Sequence, residues 1–142
     1  MKIQYYLITF IFLLFSGSQS FANEESSTTE KLATSIYSED VVEELINHDD
    51  WHFYKIEVET AAKLTVKLRK ISDDADLYVS SSKKPSNDDF QCAPKKSGKL
   101  IETCRLSSNT PTIWYIGVHG KLESDYQLGV TTNELSLVSI RY

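Results

Sequence analysis

Residues 62–71 read AKLTVKLRKI, and this stretch alternates between apolar and polar residues from Ala62 to Arg69. Alternation with a period of two places successive side chains on opposite faces of a β-strand. One face would be apolar and the other polar or basic: Leu64, Val66 and Leu68 against Lys63, Thr65, Lys67 and Arg69. The stretch therefore predicts a strand that is buried on one face and solvated on the other.

Further strand-like stretches occur at intervals of about ten residues, with turn residues between them. They read WHFYKIEVE (51–59), ADLYVSS (75–81), KLIETCRL (99–106), TIWYIGVHG (112–120) and SDYQLGVTT (124–132), with LSLVSIRY (135–142) as a further candidate. Strands spaced in this way predict an all-β domain, an antiparallel sandwich or barrel.

One segment, YSEDVVEELINHDD (37–50), is ambiguous between helix and strand. Its apolar residues have helical spacing and its two consecutive glutamates favour a helix. The apolar run is short, however, and it leads directly into NHDD, which signals a turn. The periodicity alone leaves residues 40–46 open.

The N-terminus carries the pattern of a secretory signal peptide. Lys2 precedes an apolar stretch from Ile3 to Phe15, and small residues at Ser20 and Ala22 suit a signal peptidase. An uncleaved anchor is the alternative, but about 13 apolar residues fall short of the roughly 20 that span a bilayer. We predict a signal peptide at 1–22, a flexible lead at 23–37 and one domain at 38–142. The mature protein would be secreted, to the periplasm or beyond, without a membrane span.

The charge and the cysteine content limit the classes of function that the protein can have. The formal net charge is −5, from 20 acidic and 15 basic residues, which argues against nucleic acid as a partner. Two cysteines, Cys92 and Cys104, lie in the exported part, where an even number predicts a disulfide. A metal pair is the alternative, but no nearby histidine completes a site.

Residues 71–81, ISDDADLYVSS, contain three aspartates within four positions: Asp73, Asp74 and Asp76. Calcium prefers six to eight oxygen ligands on a loop. Asp49 and Asp50 in the 47–50 turn could add ligands if both turns lie at the same end of the sandwich. The alternatives are a turn braced by its own carboxylates and a catalytic pair, for which no base or nucleophile is evident.

Aromatic residues suggest a binding face. Because side chains on a strand alternate, Trp114 and Tyr115 cannot both point into the core. We predict that Tyr78 and Tyr115 point outward, with His119 at the bordering hairpin tip, as a ligand-binding face. The alternative is that these rings fill the core and its rim.

Several motifs together resemble one family. They are DADLYVSS at 74–81, Pro85, FQC at 90–92, ETC at 102–104, WYIGVHG at 114–120 and YQLGV at 126–130. Their order is similar to that of the bacterial pre-peptidase C-terminal domain. The resemblance implies a jelly-roll β-sandwich in which EDVVEELI is a first strand. Domains of this family usually follow a secreted protease; some bind calcium and collagen, others polysaccharide.

No protease domain precedes this one in the sequence, so we expect a stand-alone, non-enzymatic module. It would bind an extracellular polysaccharide or protein surface, such as a host surface, with calcium as a candidate brace. The alternative is a partner, chaperone or inhibitor of a separately encoded secreted hydrolase. A third option, an enzyme, would require a base beside Asp74 or Asp76.

Overall fold

A computed structural model describes residues 31–135, and within this range it contains strands but no helix. Eight strands are present: β1 (Thr34–Ser35), β2 (Val41–Ile46), β3 (Trp51–Val58), β4 (Ala62–Arg69), β5 (Ala75–Ser80), β6 (Glu102–Ser108), β7 (Thr112–Gly120) and β8 (Ser124–Glu134). The predicted signal peptide and most of the candidate strand at 135–142 lie outside the described residues. No helix in the described part is long and apolar enough to cross a membrane.

The strands form two four-stranded sheets. The first sheet has the order β1-β3-β7-β5, and the second has the order β2-β8-β4-β6. Within each sheet, every pair of neighbouring strands is antiparallel except β1 with β3, which is parallel. The predicted all-β antiparallel sandwich is confirmed.

The core lies between the two sheets and follows the alternation of the sequence. In β4 the apolar positions are buried and most of the polar positions are exposed, as the opening stretch predicts. Both sheets contribute large apolar side chains to this interior: Tyr54, Ile56, Leu64, Val66, Leu68, Leu77, Val79, Trp114, Ile116, Val118, Leu128 and Val130. Removal of their apolar surface from water is the main stabilising contribution to the fold.

The ambiguous N-terminal segment is a strand. β2 pairs antiparallel with β8 over six residues, from Val41 opposite Gly129 to Ile46 opposite Ser124. Its helical spacing is overridden because Ile46 is fully buried in the sandwich core. The described part of the predicted lead also contains β1 and a buried Ile36, so ordered structure begins before residue 38.

The long segment between β5 and β6 folds over the edge of the first sheet. Val79 N–H donates to Cys92 O at 2.8 Å, and Cys92 N–H donates back to Val79 O at 3.1 Å. Cys92 also forms the predicted disulfide with Cys104 of β6, with the Cα atoms 5.9 Å apart. The edge strand β5 is thereby covered, and the segment is linked covalently to the second sheet.

Candidate functional site

Three turns meet at one end of the sandwich. Asp49 N–H donates to Gly120 O at 2.8 Å, and Gly120 N–H donates to Asp50 O at 3.1 Å. Leu122 N–H donates to Asp74 O at 3.0 Å. The turn before β3 and the acidic turn before β5 therefore lie on the two sides of the turn between β7 and β8, as the calcium hypothesis required.

The five predicted calcium ligands nevertheless do not come together. Asp50 pairs with Lys31 at 3.0 Å, and Asp49 and Asp73 are exposed. Asp74 and Asp76 share a polar pocket of about 350 Å³. Within residues 31–135, no group of three or more His, Cys, Asp or Glu side chains is arranged to hold a metal ion. A single site that uses all five carboxylates does not fit this geometry, and only the pair in the pocket remains as a candidate.

The pocket combines acidic and basic groups. Its lining is entirely polar apart from the tyrosine ring: Asp74, Asp76, Tyr78, Asn87, Asp88, Lys95, Ser97 and Lys121. Asp76 is 4% exposed, and the Tyr78 hydroxyl donates to its Oδ2 at 3.5 Å. Burial raises the pKa of Asp76, while Lys121 acts in the opposite direction. Asp74 Oδ1 already accepts from Gly98 N–H at 3.0 Å, which makes Asp74 a brace between two loops.

Tyr78, Tyr115 and His119 lie on the outer face of the first sheet, opposite the core, as predicted. They do not form an exposed face, because Tyr78 is 1% and His119 is 5% exposed, and only Tyr115 is partly accessible. Trp51 stacks on His119 with ring centroids 4.5 Å apart, and Phe90 contacts Tyr78 edge-on at 5.6 Å. The segment between β5 and β6 therefore converts the outer face into a second packed layer.

Glu102 is a buried structural residue that was not predicted from the sequence. It is fully buried, and its Oε2 accepts from Leu77 N–H at 2.6 Å while its Oε1 accepts from Lys96 N–H. Burial raises its pKa. The signal was present, because Glu102 has the same parity as Cys104, which is a core residue. An acid at an inward-facing position must find hydrogen-bond donors.

A second buried polar network was also missed. His52 Nδ1 lies 2.7 Å from the Tyr126 hydroxyl and 3.0 Å from Glu44 Oε2, and the Tyr126 hydroxyl lies 2.5 Å from that of Tyr54. Burial lowers the pKa of His52 and raises the pKa of Tyr54 to about 12. The phenols therefore stay protonated at neutral pH and act as hydrogen-bond donors between the sheets. These residues come from three strands, so no local motif could have revealed the network.

The architecture and its sites define a small, disulfide-linked antiparallel β-sandwich domain with a covered sheet edge and a polar pocket beside Asp74 and Asp76. Residues 50–120 match the family model described as the bacterial pre-peptidase C-terminal domain, and this match covers half of the chain. The chain belongs to that family, which confirms the resemblance found in the sequence.

The relatives are proteases, and this chain matches only a small part of each. It is 28% identical over 74 residues to a neutral protease of Vibrio proteolyticus, which is 52% of this chain and 12% of the protease. It is 34% identical over 68 residues to a virulence metalloprotease of Vibrio anguillarum, and 31% identical over 68 residues to a zinc metalloprotease of Helicobacter pylori. These matches cover 48% of this chain, and 11% and 26% of the two proteases.

Two solved structures share the fold at 13% sequence identity and a TM-score of 0.55. One is the pre-peptidase C-terminal domain of a collagenase from Bacillus anthracis, and the other is PliG of Aeromonas hydrophila, a periplasmic lysozyme inhibitor of g-type lysozyme. Each alignment covers 71% of this chain, with 96% of the collagenase domain and 97% of the inhibitor. The likeness concerns the fold alone.

Proposed function

We propose that this protein is an exported, non-catalytic binding protein whose partner is a separately encoded hydrolase. Membership of a family whose matched relatives are proteases supports this choice of partner class. The similarity in fold to a periplasmic inhibitor of g-type lysozyme supports the idea that such a sandwich can act on a hydrolase from a separate chain. Export rests on the N-terminal sequence pattern and agrees with the periplasmic location given for that inhibitor.

The observation that carries the proposal is a set of exposed apolar side chains on two loops that are both hydrogen-bonded to Asp74. We call it the loop surface and define it as Leu100, Ile101 and Leu122, which are 60%, 56% and 47% exposed. The two segments that carry these residues are held at Asp74, which bonds to Gly98 N–H and Leu122 N–H. Exposed apolar side chains on rigid loops are typical of protein-binding sites, because little conformational entropy is lost on binding.

The polar groups of the domain support a non-catalytic role. Glu102 and Asp74 are occupied by backbone N–H groups, and His52 is occupied by its contacts with Tyr126 and Glu44. A general base needs a free site within hydrogen-bond reach of a substrate proton. In this chain Glu102 and His52 serve the fold, which is consistent with a module that binds rather than reacts.

Replacing Leu100 and Ile101 together with Ser is expected to weaken binding to the hydrolase at least about tenfold, because central apolar contacts carry most of the energy of an interface. The measurement is biolayer interferometry of the chain from Asn23 to Tyr142 against a panel. The panel contains the neutral protease of Vibrio proteolyticus and a g-type lysozyme, with enzyme activity followed in parallel.

The matched control is a double serine variant of Val41 and Leu45, which are 53% and 52% exposed on strand β2. It removes similar apolar area away from the loop surface, so binding should be retained. Saturable binding that falls equally in both double variants would show that the loop surface is not the contact. Absence of saturable binding across the panel would refute the hydrolase proposal for these enzyme classes.

The second candidate is an extracellular polysaccharide or protein surface, including a host surface. The aromatic ligand-binding face that first suggested this candidate is not available, because Tyr78 and His119 are buried. A different observation favours it, namely a row of exposed cations on the outer face of the second sheet that make no direct ion pair with any described residue. Co-sedimentation with chitin, cellulose, collagen and peptidoglycan tests this candidate by itself, since hydrolase binding through the loop surface requires no polymer binding.

Calcium bracing remains a prediction, and it now concerns Asp74 and Asp76 alone. A bound ion would stabilise the folded state by about 2.7 kcal/mol at 100 times its dissociation constant. Calcium bracing therefore predicts a higher melting temperature in 2 mM CaCl2 than in EDTA, and predicts that D76N abolishes the difference. Superimposable melting curves for the unmodified protein would exclude it.

A further inference from the structure

The outer face of the second sheet carries a concentrated positive charge on a protein whose net charge is −5. Four exposed cations point away from the core on two adjacent strands, three on β4 and one on β6: Lys63, Lys67, Arg69 and Arg105. We call them the cationic row. Threonines lie between them on the same face, at Thr65, Thr103 and Thr131.

The register of the sheet fixes the spacing of these charges. Thr65 lies opposite Arg105 on β6 and opposite Thr131 on β8, and Lys67 lies opposite Thr103 and Gly129. Alternate residues on a strand are about 7 Å apart, and diagonal neighbours on adjacent strands are about 7–8 Å apart. From Lys63 to Arg69 the row therefore extends about 20 Å along one strand.

Within residues 31–135, no member of the cationic row makes a direct ion pair or side-chain hydrogen bond, although the charge of Arg69 contributes to the lowered pKa of Glu43. Other lysines of the same domain do find acidic partners, including Lys55 with Glu57 at 2.9 Å and Lys70 with Glu43 at 3.1 Å. The four charges are alternate residues or diagonal neighbours, and none lies directly opposite another in the register. The row is therefore a concentration of positive charge that the sheet tolerates without pairing it.

Protection of a sheet edge does not account for the cationic row. Lysine on an edge strand discourages pairing between molecules, and Arg105 on the edge strand β6 could serve that purpose. The three cations of β4 have no such purpose, because β4 lies between β8 and β6 and has no free edge. A function of these cations would therefore act through the face of the sheet rather than through its edge.

The face is also shaped to receive a ligand. An open depression of about 420 Å³ is lined by three members of the row, two threonines, a glycine, two valines and two acids: Lys67, Arg69, Arg105, Thr65, Thr131, Gly129, Val41, Val130, Glu39 and Asp40. At Gly129 an added Cβ would meet no atom within 4 Å, so the lack of a side chain leaves an open floor beside Lys67.

We propose that the cationic row binds an anionic polysaccharide. Carboxylate or sulfate groups of successive sugars would pair with the cations, and sugar hydroxyls would exchange hydrogen bonds with the threonines. A flat row of charges about 20 Å long suits an extended polyanion better than the irregular surface of an acidic protein. This surface is separate from the loop surface, so the inference does not depend on the proposed hydrolase partner.

The test uses the chain from Asn23 to Tyr142 with two defined anionic probes, heparin and polygalacturonate, and with neutral dextran. The K67E/R105E variant is expected to lose at least about tenfold in affinity, and its binding should depend less steeply on salt, because fewer counterions are released. The matched control is K83E/K99E, which makes the same charge change on exposed lysines elsewhere and should remain within about twofold of the unmodified protein.

Folding is checked by thermal melting, and K67Q/R105Q serves as a milder variant if charge reversal disturbs the sheet. Equal losses in both charge-reversal variants would overturn the proposal, because they would reflect net charge alone. Comparable binding of neutral dextran would overturn it as well. Tighter binding of poly-L-glutamate or duplex DNA than of either glycan at the same salt would assign the face to an acidic protein or a nucleic acid instead. Hydrolase binding by K67E/R105E should be unchanged, which keeps the two proposals distinguishable.

Discussion

Replacing Glu102 with Gln is expected to lower the free energy of unfolding by about 2–4 kcal/mol, the cost of leaving a buried donor unsatisfied beside a mismatched amide. The two oxygens of Glu102 accept from two different backbone donors, Leu77 N–H and Lys96 N–H. A Gln side chain has one oxygen, so its NH2 group would face one of these donors. The measurement is urea unfolding followed by tryptophan fluorescence.

The pH dependence of the same variant provides an independent check. Because burial raises the pKa of Glu102, the folded state binds its proton more tightly than the unfolded state does. The stabilising contribution is complete below the unfolded pKa and is lost as pH rises through the folded pKa. E102Q should reduce this fall in stability above about pH 4.5 and leave the part that comes from Asp76, whose pKa burial also raises. E59Q, at an exposed loop position, should leave the whole fall intact. A loss of under 0.5 kcal/mol in E102Q would show that Glu102 does not hold the segment between β5 and β6.

Removal of the disulfide by a C92A/C104A double substitution is expected to cost about 3 kcal/mol, from loop-closure entropy alone. The cystine closes a loop with a sequence separation of 12. Cys104 is also 1% exposed and packs in the core, so the lost sulfur adds a packing defect. The midpoint of urea unfolding, with and without the substitution, measures the loss.

The double substitution should also act locally. The segment between β5 and β6 covers Tyr78, and its covalent tie to β6 is the bond that would be lost. Limited proteolysis is therefore expected to cut first within residues 81–101, while the unmodified protein resists under the same conditions. Addition of dithiothreitol to the unmodified protein should reproduce the pattern. Cleavage that begins elsewhere, or unchanged resistance, would contradict a role for the disulfide in holding this segment.

Local sequence patterns determined the outline of the protein because each depends on neighbours along the chain. The alternation in residues 62–71 predicted which side chains of β4 are buried, and the two cysteines predicted their own pairing. The ambiguous stretch at 40–46 was resolved only by the family resemblance and then by its pairing with β8. Its own periodicity pointed to a helix, and burial of Ile46 between the sheets outweighed that local preference.

Only the tertiary structure decided which surfaces are accessible. Period-two alternation placed Tyr78 and His119 on the outer face, but it carried no information about the segment that folds over them. The turns at Asp49 and Asp74 do lie at one end, yet the turn between β7 and β8 separates their carboxylates. The alternation within β4 predicted that its three cations share one face. Only the pairing of β4 with β6 places Arg105 on the same face. Alternation predicts the face of the sheet on which each side chain lies. Whether a side chain is covered, which carboxylates come together and where charges concentrate depend on contacts between residues far apart in the chain.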